Sequence, residues 1–176
     1  MRKVKYRIFL DYDKEEKWVN DMAKEGWHLE KFSVGRFVFV KGEPGAFIYR
    51  NEYLGNLSEE EKVEYFALLQ DSGATIVHES FNWIYVKKPV NEGPFELYTD
   101  ASSKIDYYNR LLNSLLIVLI VNIAGATINF SIMGLSNKGV FNLGAGILHL
   151  LVAALICIPM VKIDKNKKKL KEQLFE

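Results

Sequence analysis

A single cysteine, Cys157, stands among 176 residues. It has no partner for an internal disulfide and lies inside an apolar run, so no oxidising compartment is implied. The three histidines, His28, His78 and His149, have no metal-ligand spacing with one another or with that cysteine. A Gly-rich phosphate loop, a G-x-S-x-G elbow and an H-E-x-x-H pair are equally missing. Gly42-Glu43-Pro44-Gly45 has the composition of a hairpin turn rather than of a strand-to-helix cradle. Charge of one sign is lacking too. Residues 1–110 hold 16 Lys and Arg against 19 Asp and Glu, which leaves no basic footprint for a phosphate backbone, so no nucleic-acid partner is expected. Met1–Arg7 carries four cations and leads into acidic residues instead of an apolar stretch, so no cleavable leader is expected. Glu30, Glu52 and Glu79 sit where a base could stand, yet solvated surface is the simpler reading of each. With no metal, no cofactor and no catalytic motif, the chain is expected not to be an enzyme.

Two long runs without charge are what the sequence does have. A mean hydropathy of -0.04 averages unlike halves. Residues 111–133 carry no charged side chain, and 140–161 carry no Asp, Glu, Lys or Arg, with His149 the one basic group. Each run is long enough to cross a hydrocarbon core of about 30 Å at 1.5 Å rise per residue. A domain of this size could not bury two helices that are apolar all round. The expected organisation is a cytosolic domain over 1–92, a juxtamembrane linker over 93–110, transmembrane helices over 111–133 and 140–161, and a basic tail over 162–176.

Six lysines in that tail, together with Lys104 and Arg110, flank one side of the hairpin, whereas the connector 134–139 has one lysine. By the positive-inside rule both termini are expected in the cytoplasm of a multi-pass cell-membrane protein. Tyr98, Tyr107 and Tyr108 can form an interfacial belt before the first span, and the lysines can meet anionic headgroups. Asn122, Gly125, Ala126 and Asn129 share one helical face, as do Asn142, Gly146, His149 and Ala153. Small and amide side chains of this kind pack helices together. Asn122, Asn129, Gly146 and His149 are the expected intramembrane packing residues, and the same helices can join a protein partner or a second copy. Counted inward from the connector, Asn122 and His149 lie at nearly one depth, about 3 Å apart by helical rise, and are expected to share a hydrogen bond.

The soluble half reads as a duplicated unit. Val4, Tyr6, Ile8 and Leu10 alternate with other residues as the buried side of a strand would. Asp13 is the expected N-cap of a helix that turns Trp18, Val19 and Met22 inward and stops at Gly26. Strands are expected at 27–34 and 36–41, and Pro44-Gly45 suits a type II turn. The order then repeats: a strand at 46–54, a helix capped by Ser58, a stop at Gly73, and strands at 74–80 and 82–88. A shift of 47 residues superposes Trp18 on Tyr65, Met22 on Leu69 and Gly26 on Gly73. The expected fold class is α+β: duplicated strand–helix–strand–strand units in one largely antiparallel sheet, both helices on one face, followed by a two-helix transmembrane hairpin. The element order resembles that of bacterial multidrug-sensing effector domains, a likeness of fold only.

One sheet face would then be left open. Trp18, Trp27, Phe37, Phe39, Tyr49, Trp83 and Tyr85 are the expected ligand or partner surface, suited to a small apolar or cationic ligand. Four blocks carry a resemblance. Glu16–Leu29 (EKWVNDMAKEGWHL), Gly35–Gly45 (GRFVFVKGEPG), Tyr49–Glu52 (YRNE) and Glu92–Tyr98 (EGPFELY) are similar to the bacterial domain of unknown function 2812. That resemblance implies a soluble domain followed by membrane helices, genes often placed beside PadR-type repressors, and a role in envelope stress or antimicrobial response. It implies no catalytic residue. The expected function is a non-enzymatic, membrane-anchored regulatory or sensor protein. The alternative is an accessory subunit of a membrane transporter or immunity system acting through the hairpin.

Overall fold

The computed structural model of the chain describes residues 1–55, 57–133 and 139–174. The greater part of the connector expected between the spans, residues 134–138, lies outside the described residues, as do the last two residues of the tail. The chain divides into two compact units, Met1–Thr99 and Asp100–Glu176.

In the first unit the order is β1 (Arg2–Tyr6), α1 (Tyr12–Lys24), β2 (Trp27–Ser33), β3 (Arg36–Lys41), β4 (Phe47–Tyr53), α2 (Glu59–Asp71), β5 (Thr75–Ser80) and β6 (Trp83–Pro89). This is the strand–helix–strand–strand unit twice over. The N-cap of α1 is Asp11, whose carboxylate accepts from the N–H groups of Asp13 and Lys14. The expected cap, Asp13, instead occupies the first turn, where the positive end of the helix favours a carboxylate. Ser58 and Glu61 form a capping box on α2. Gly26 and Gly73 close the two helices at φ +79° and +83°, a left-handed conformation in which a side chain would be strained. Gly45 takes φ +71° as the type II turn requires, and the Ala46 N–H donates to the Glu43 carbonyl at 3.4 Å.

Three features depart from expectation. First, the strands form two three-stranded antiparallel sheets, β1-β3-β2 and β4-β6-β5, rather than one. The neighbouring edges β2 and β5 each carry a register shift, at Leu29/Lys31 and Ile76/His78, positions again 47 residues apart. A bulge disrupts the ladder on the strand that holds it, so these edges approach without joining. Second, the helices do not share one face. Val19, Met22 and Ala23 of α1 pack with Leu29, Phe32, Phe37, Phe39, Tyr49 and Tyr85, whereas Leu69 of α2 packs with Leu54, Ala74, Ile84, Val86 and Phe95. Tyr85 alternates with Ile84 and Val86 along β6, so α1 and α2 cover opposite faces of that strand. A central strand with bulky apolar residues on both sides needs a cover on each.

Third, β1 is turned over. Lys3 pairs with Phe39 and Lys5 with Phe37, which sets the lysines on the α1 side. Val4 and Tyr6, expected inside, are 43 % and 76 % exposed on the other face, and Ile8 and Leu10 beyond the strand are also exposed.

The second unit consists of α3 (Ala101–Met133) and α4 (Gly139–Gln173), antiparallel partners that extend beyond the apolar runs at their membrane-distal ends. Only 17 % and 11 % of their most apolar stretches is buried. Ile117, Ile120, Val121, Leu148 and Leu151 among others face outward. A core helix would bury such residues; these two are long and apolar enough to cross a membrane, where lipid supplies the apolar surroundings.

Candidate functional site

The aromatic residues expected to line an open face are brought together, but that face is closed by α1. Phe37, Phe39, Tyr49 and Tyr85 are at most 1 % exposed. Trp18, on α1, stands edge-on to Phe37 and Phe39 with ring centroids 5.0 and 5.5 Å away, and Phe32 meets Tyr85 edge-on at 4.9 Å. The alternation that places Trp83 and Tyr85 together with Phe37 and Phe39 holds. It is α1, expected on the opposite face with α2, that fills the concavity. Trp83 lies at its margin, half-buried against Tyr53 and Tyr12 at 5.2 and 6.2 Å.

Several of the rings at the edge of this cluster are covered by the chain's own cations. Lys3 and Lys41 place their ammonium groups 4.4 and 4.9 Å from the Trp27 ring. Arg7 covers Phe9 and Trp18, and Lys87 covers Phe47. These contacts use the ring faces that a cationic ligand would need.

A polar constellation along β4 went unrecognised in the sequence. β4 is an edge strand, so among the described residues one side of its backbone has no neighbouring strand. Asn20 on α1 fills the gap. Its Oδ1 accepts from the Tyr49 N–H at 2.8 Å, and its Nδ2 donates to the Tyr49 carbonyl at 2.9 Å. One turn earlier, Glu16 accepts from the Asn51 N–H at 2.9 Å and pairs with Arg50 at 3.1 Å, while Arg50 also meets Glu96 at 2.9 Å. Asn51 donates to the Tyr12 carbonyl, and Tyr98 bonds Glu52, which is 1 % exposed. Apart from Tyr12, these residues come from three of the four sequence blocks, Glu16–Leu29, Tyr49–Glu52 and Glu92–Tyr98. The available signal was the run of polar side chains in elements that otherwise read as half-buried.

The same region perturbs its titrating groups. Burial pushes the Glu15 and Glu16 carboxyls up, only partly offset by the Tyr85 hydroxyl on Glu15 and by Asn51 and Arg50 on Glu16. Burial, reinforced by the Glu15 carboxylate 3.0 Å from its hydroxyl, raises Tyr85 well above 10. His28 donates from Nε2 to the Glu43 carbonyl at 2.7 Å, and its Nδ1 shares a hydrogen bond with the Tyr49 hydroxyl 3.3 Å away. Such a network fixes geometry. Among the described residues, no group of three or more His, Cys, Asp and Glu side chains is placed to hold a metal ion.

In the helical unit, the Asn122 amide donates to the Val118 carbonyl, which leaves its Oδ1 to accept from His149 Nδ1 at 3.1 Å. The imidazole lies against Gly125, where an added Cβ would come within 2.8 Å of the ring. Gly146 similarly receives the Phe130 ring, with a Cβ there only 2.6 Å from it. Asn129 donates within its own helix, to the Gly125 carbonyl.

A family model described as a protein of unknown function, DUF2812, matches residues 11–120, from the cap of α1 into α3. No curated protein and no solved structure matches the chain.

Proposed function

The chain belongs to the DUF2812 family, and on that premise we propose that it is a non-enzymatic, membrane-anchored regulatory protein whose cytosolic domain docks a partner protein. The observation that carries this reading is an asymmetry of the duplication. In the second repeat α2 covers the face of β6 that bears Ile84 and Val86. On the matching face of the first repeat, Val4 pairs with Val38 and Tyr6 with Arg36; among the described residues neither core cluster sets α1 or α2 against it, and although Val38 is buried, the strip beyond it is open. Tyr6, Ile8 and Val34 there are 76 %, 79 % and 80 % exposed. An exposed apolar strip beside Lys31 and Arg36, with Arg2 already paired to Glu30, suits a partner surface that is apolar with an acidic rim. Because α1 occupies the aromatic concavity, a docked protein accounts for this domain better than an enclosed small ligand. The charge of the tail supports a cytoplasmic location for both termini, and the family resemblance supports a place in envelope stress or antimicrobial response.

The test is a photo-crosslinking amino acid placed at Tyr6 of the full chain in cells. A discrete protein adduct is expected, lost in an Ile8→Asp background and absent when the crosslinker replaces Phe37. Adducts formed only from Ile120 or Leu151, on the outward faces of the helices, would instead support an accessory subunit working through the hairpin.

A further inference from the structure

We propose that the groove at the lysine-bearing end of the helical hairpin binds one anionic phospholipid, its phosphate on Lys165 and Lys169 and its acyl chains along Leu112, Leu116, Met160 and Val161. This rests on the hairpin spanning a bilayer and is independent of the partner assigned to the cytosolic domain. Between α3 and α4 lies a cavity of about 720 Å³ bounded by those six residues together with Asn113, Asp164, Lys168 and Glu172. Its size is that of a ligand site, and it is confined to the second unit.

The walls change character along the helix axis as a lipid does. Leu112 and Leu116 of α3 face Met160 and Val161 of α4 at the apolar end. Val161 is the last residue of the uncharged run, so the lysines that follow stand at the depth where hydrocarbon gives way to headgroups. Val161, Lys165, Lys168 and Glu172 recur every three or four residues and share one face of α4, with Lys169 beside them. Charge within the groove is already sorted. Lys168 pairs with Asp164 at 2.8 Å, and Glu172 stands at the far end from the apolar wall. Lys165 and Lys169, one turn apart, are left to bracket a phosphate. A free phosphate would use only this polar end. The apolar wall commits the groove to a lipid.

The experiment is native mass spectrometry of the full chain taken from bilayers of equimolar phosphatidylglycerol and phosphatidylethanolamine. One retained phosphatidylglycerol is expected. Lys165→Gln/Lys169→Gln should lower the ratio of bound phosphatidylglycerol to phosphatidylethanolamine about tenfold or more, given the attraction of a lysine at an anionic surface. Lys104→Gln/Lys171→Gln removes the same charge outside the cavity and should change the ratio less than about twofold if the groove is a site rather than part of a diffuse field. Val161→Trp fills the apolar wall without altering charge and should also lower retention. Equal losses from the two lysine pairs, no preference for the anionic lipid, or displacement by excess inorganic phosphate would each overturn the proposal.

Discussion

Asn20 presents its amide to both the N–H and the C=O of Tyr49, so one side chain stands in for a further strand along the edge of β4. Truncating it leaves two backbone groups to find other partners at a half-buried position. Asn20→Ala is expected to destabilise the first unit by about 2 kcal/mol, read by denaturant unfolding of the full chain in detergent with tryptophan fluorescence. An unchanged midpoint would mean that water serves β4 equally well. Glu15 makes a prediction of opposite sign. Burial raises its carboxyl above 4.5 in the folded chain, so the native state holds that proton more tightly than the unfolded state. The resulting contribution is fully present below about pH 4.5 and is lost as pH rises through the raised value. Glu15→Gln keeps an acceptor for the Tyr85 hydroxyl and cannot ionise. It should melt higher than the parent at neutral pH, with the gain vanishing in acid. A constant difference across that range would show that the carboxyl titrates normally.

At the level of elements, the α2 cap and the helix stops were readable because they depend on local chemistry, whereas the α1 cap is Asp11, two residues before the Asp13 that was expected. Ser58, Gly26, Gly73 and the Pro44-Gly45 turn each impose their conformation on the residues beside them. Faces were less readable. Alternation along β1 separates Val4 and Tyr6 from Lys3 and Lys5, yet which set lies inside depends on register with β3, a long-range choice. The aromatics of β3, β4 and β6 were correctly grouped, but α1 as their cover could not be read from periodicity alone, since an aromatic row fits an open cleft and a helix-packed core equally well. For the helical pair, side-chain spacing was enough to bring Asn122 and His149 into one layer, because depth follows from rise per residue. A double-mutant cycle between Asn122→Ala and His149→Ala in a bilayer should give a coupling of about 0.6 kcal/mol, and no more than about 1.7. Gly146→Val should cost about 1–3 kcal/mol by forcing the helix from Phe130, measured by steric trapping. A coupling near zero, or a neutral valine, would show that the seam is looser than described.

For the whole molecule, the division into a mixed α+β unit and a membrane-length hairpin was legible in charge and hydropathy alone, because lipid tolerates so few charged side chains. The proposed orientation rests on the same lysines. In a Cys157→Ala background, a cysteine at Asn137 should react with a membrane-impermeant thiol reagent added to intact cells, and one at Asn166 should not. The reverse labelling would place the domain outside and remove the basis for a cytosolic partner.

The position of α1 also sets an order in time. Its inner residues, Val19, Met22 and Ala23, are covered in part by Tyr49 and Tyr85 from the second repeat. The first repeat therefore cannot complete its own core as it leaves the ribosome, despite being a full structural unit by element order. It must wait for β6. From the end of β6 at Pro89 to the first uncharged run is about 20 residues, roughly 1–4 s of synthesis at the usual pace. Assembly of the domain and delivery of the hairpin to the membrane thus fall almost together. A pause placed between them would lengthen the interval in which the domain can finish before its anchor is engaged.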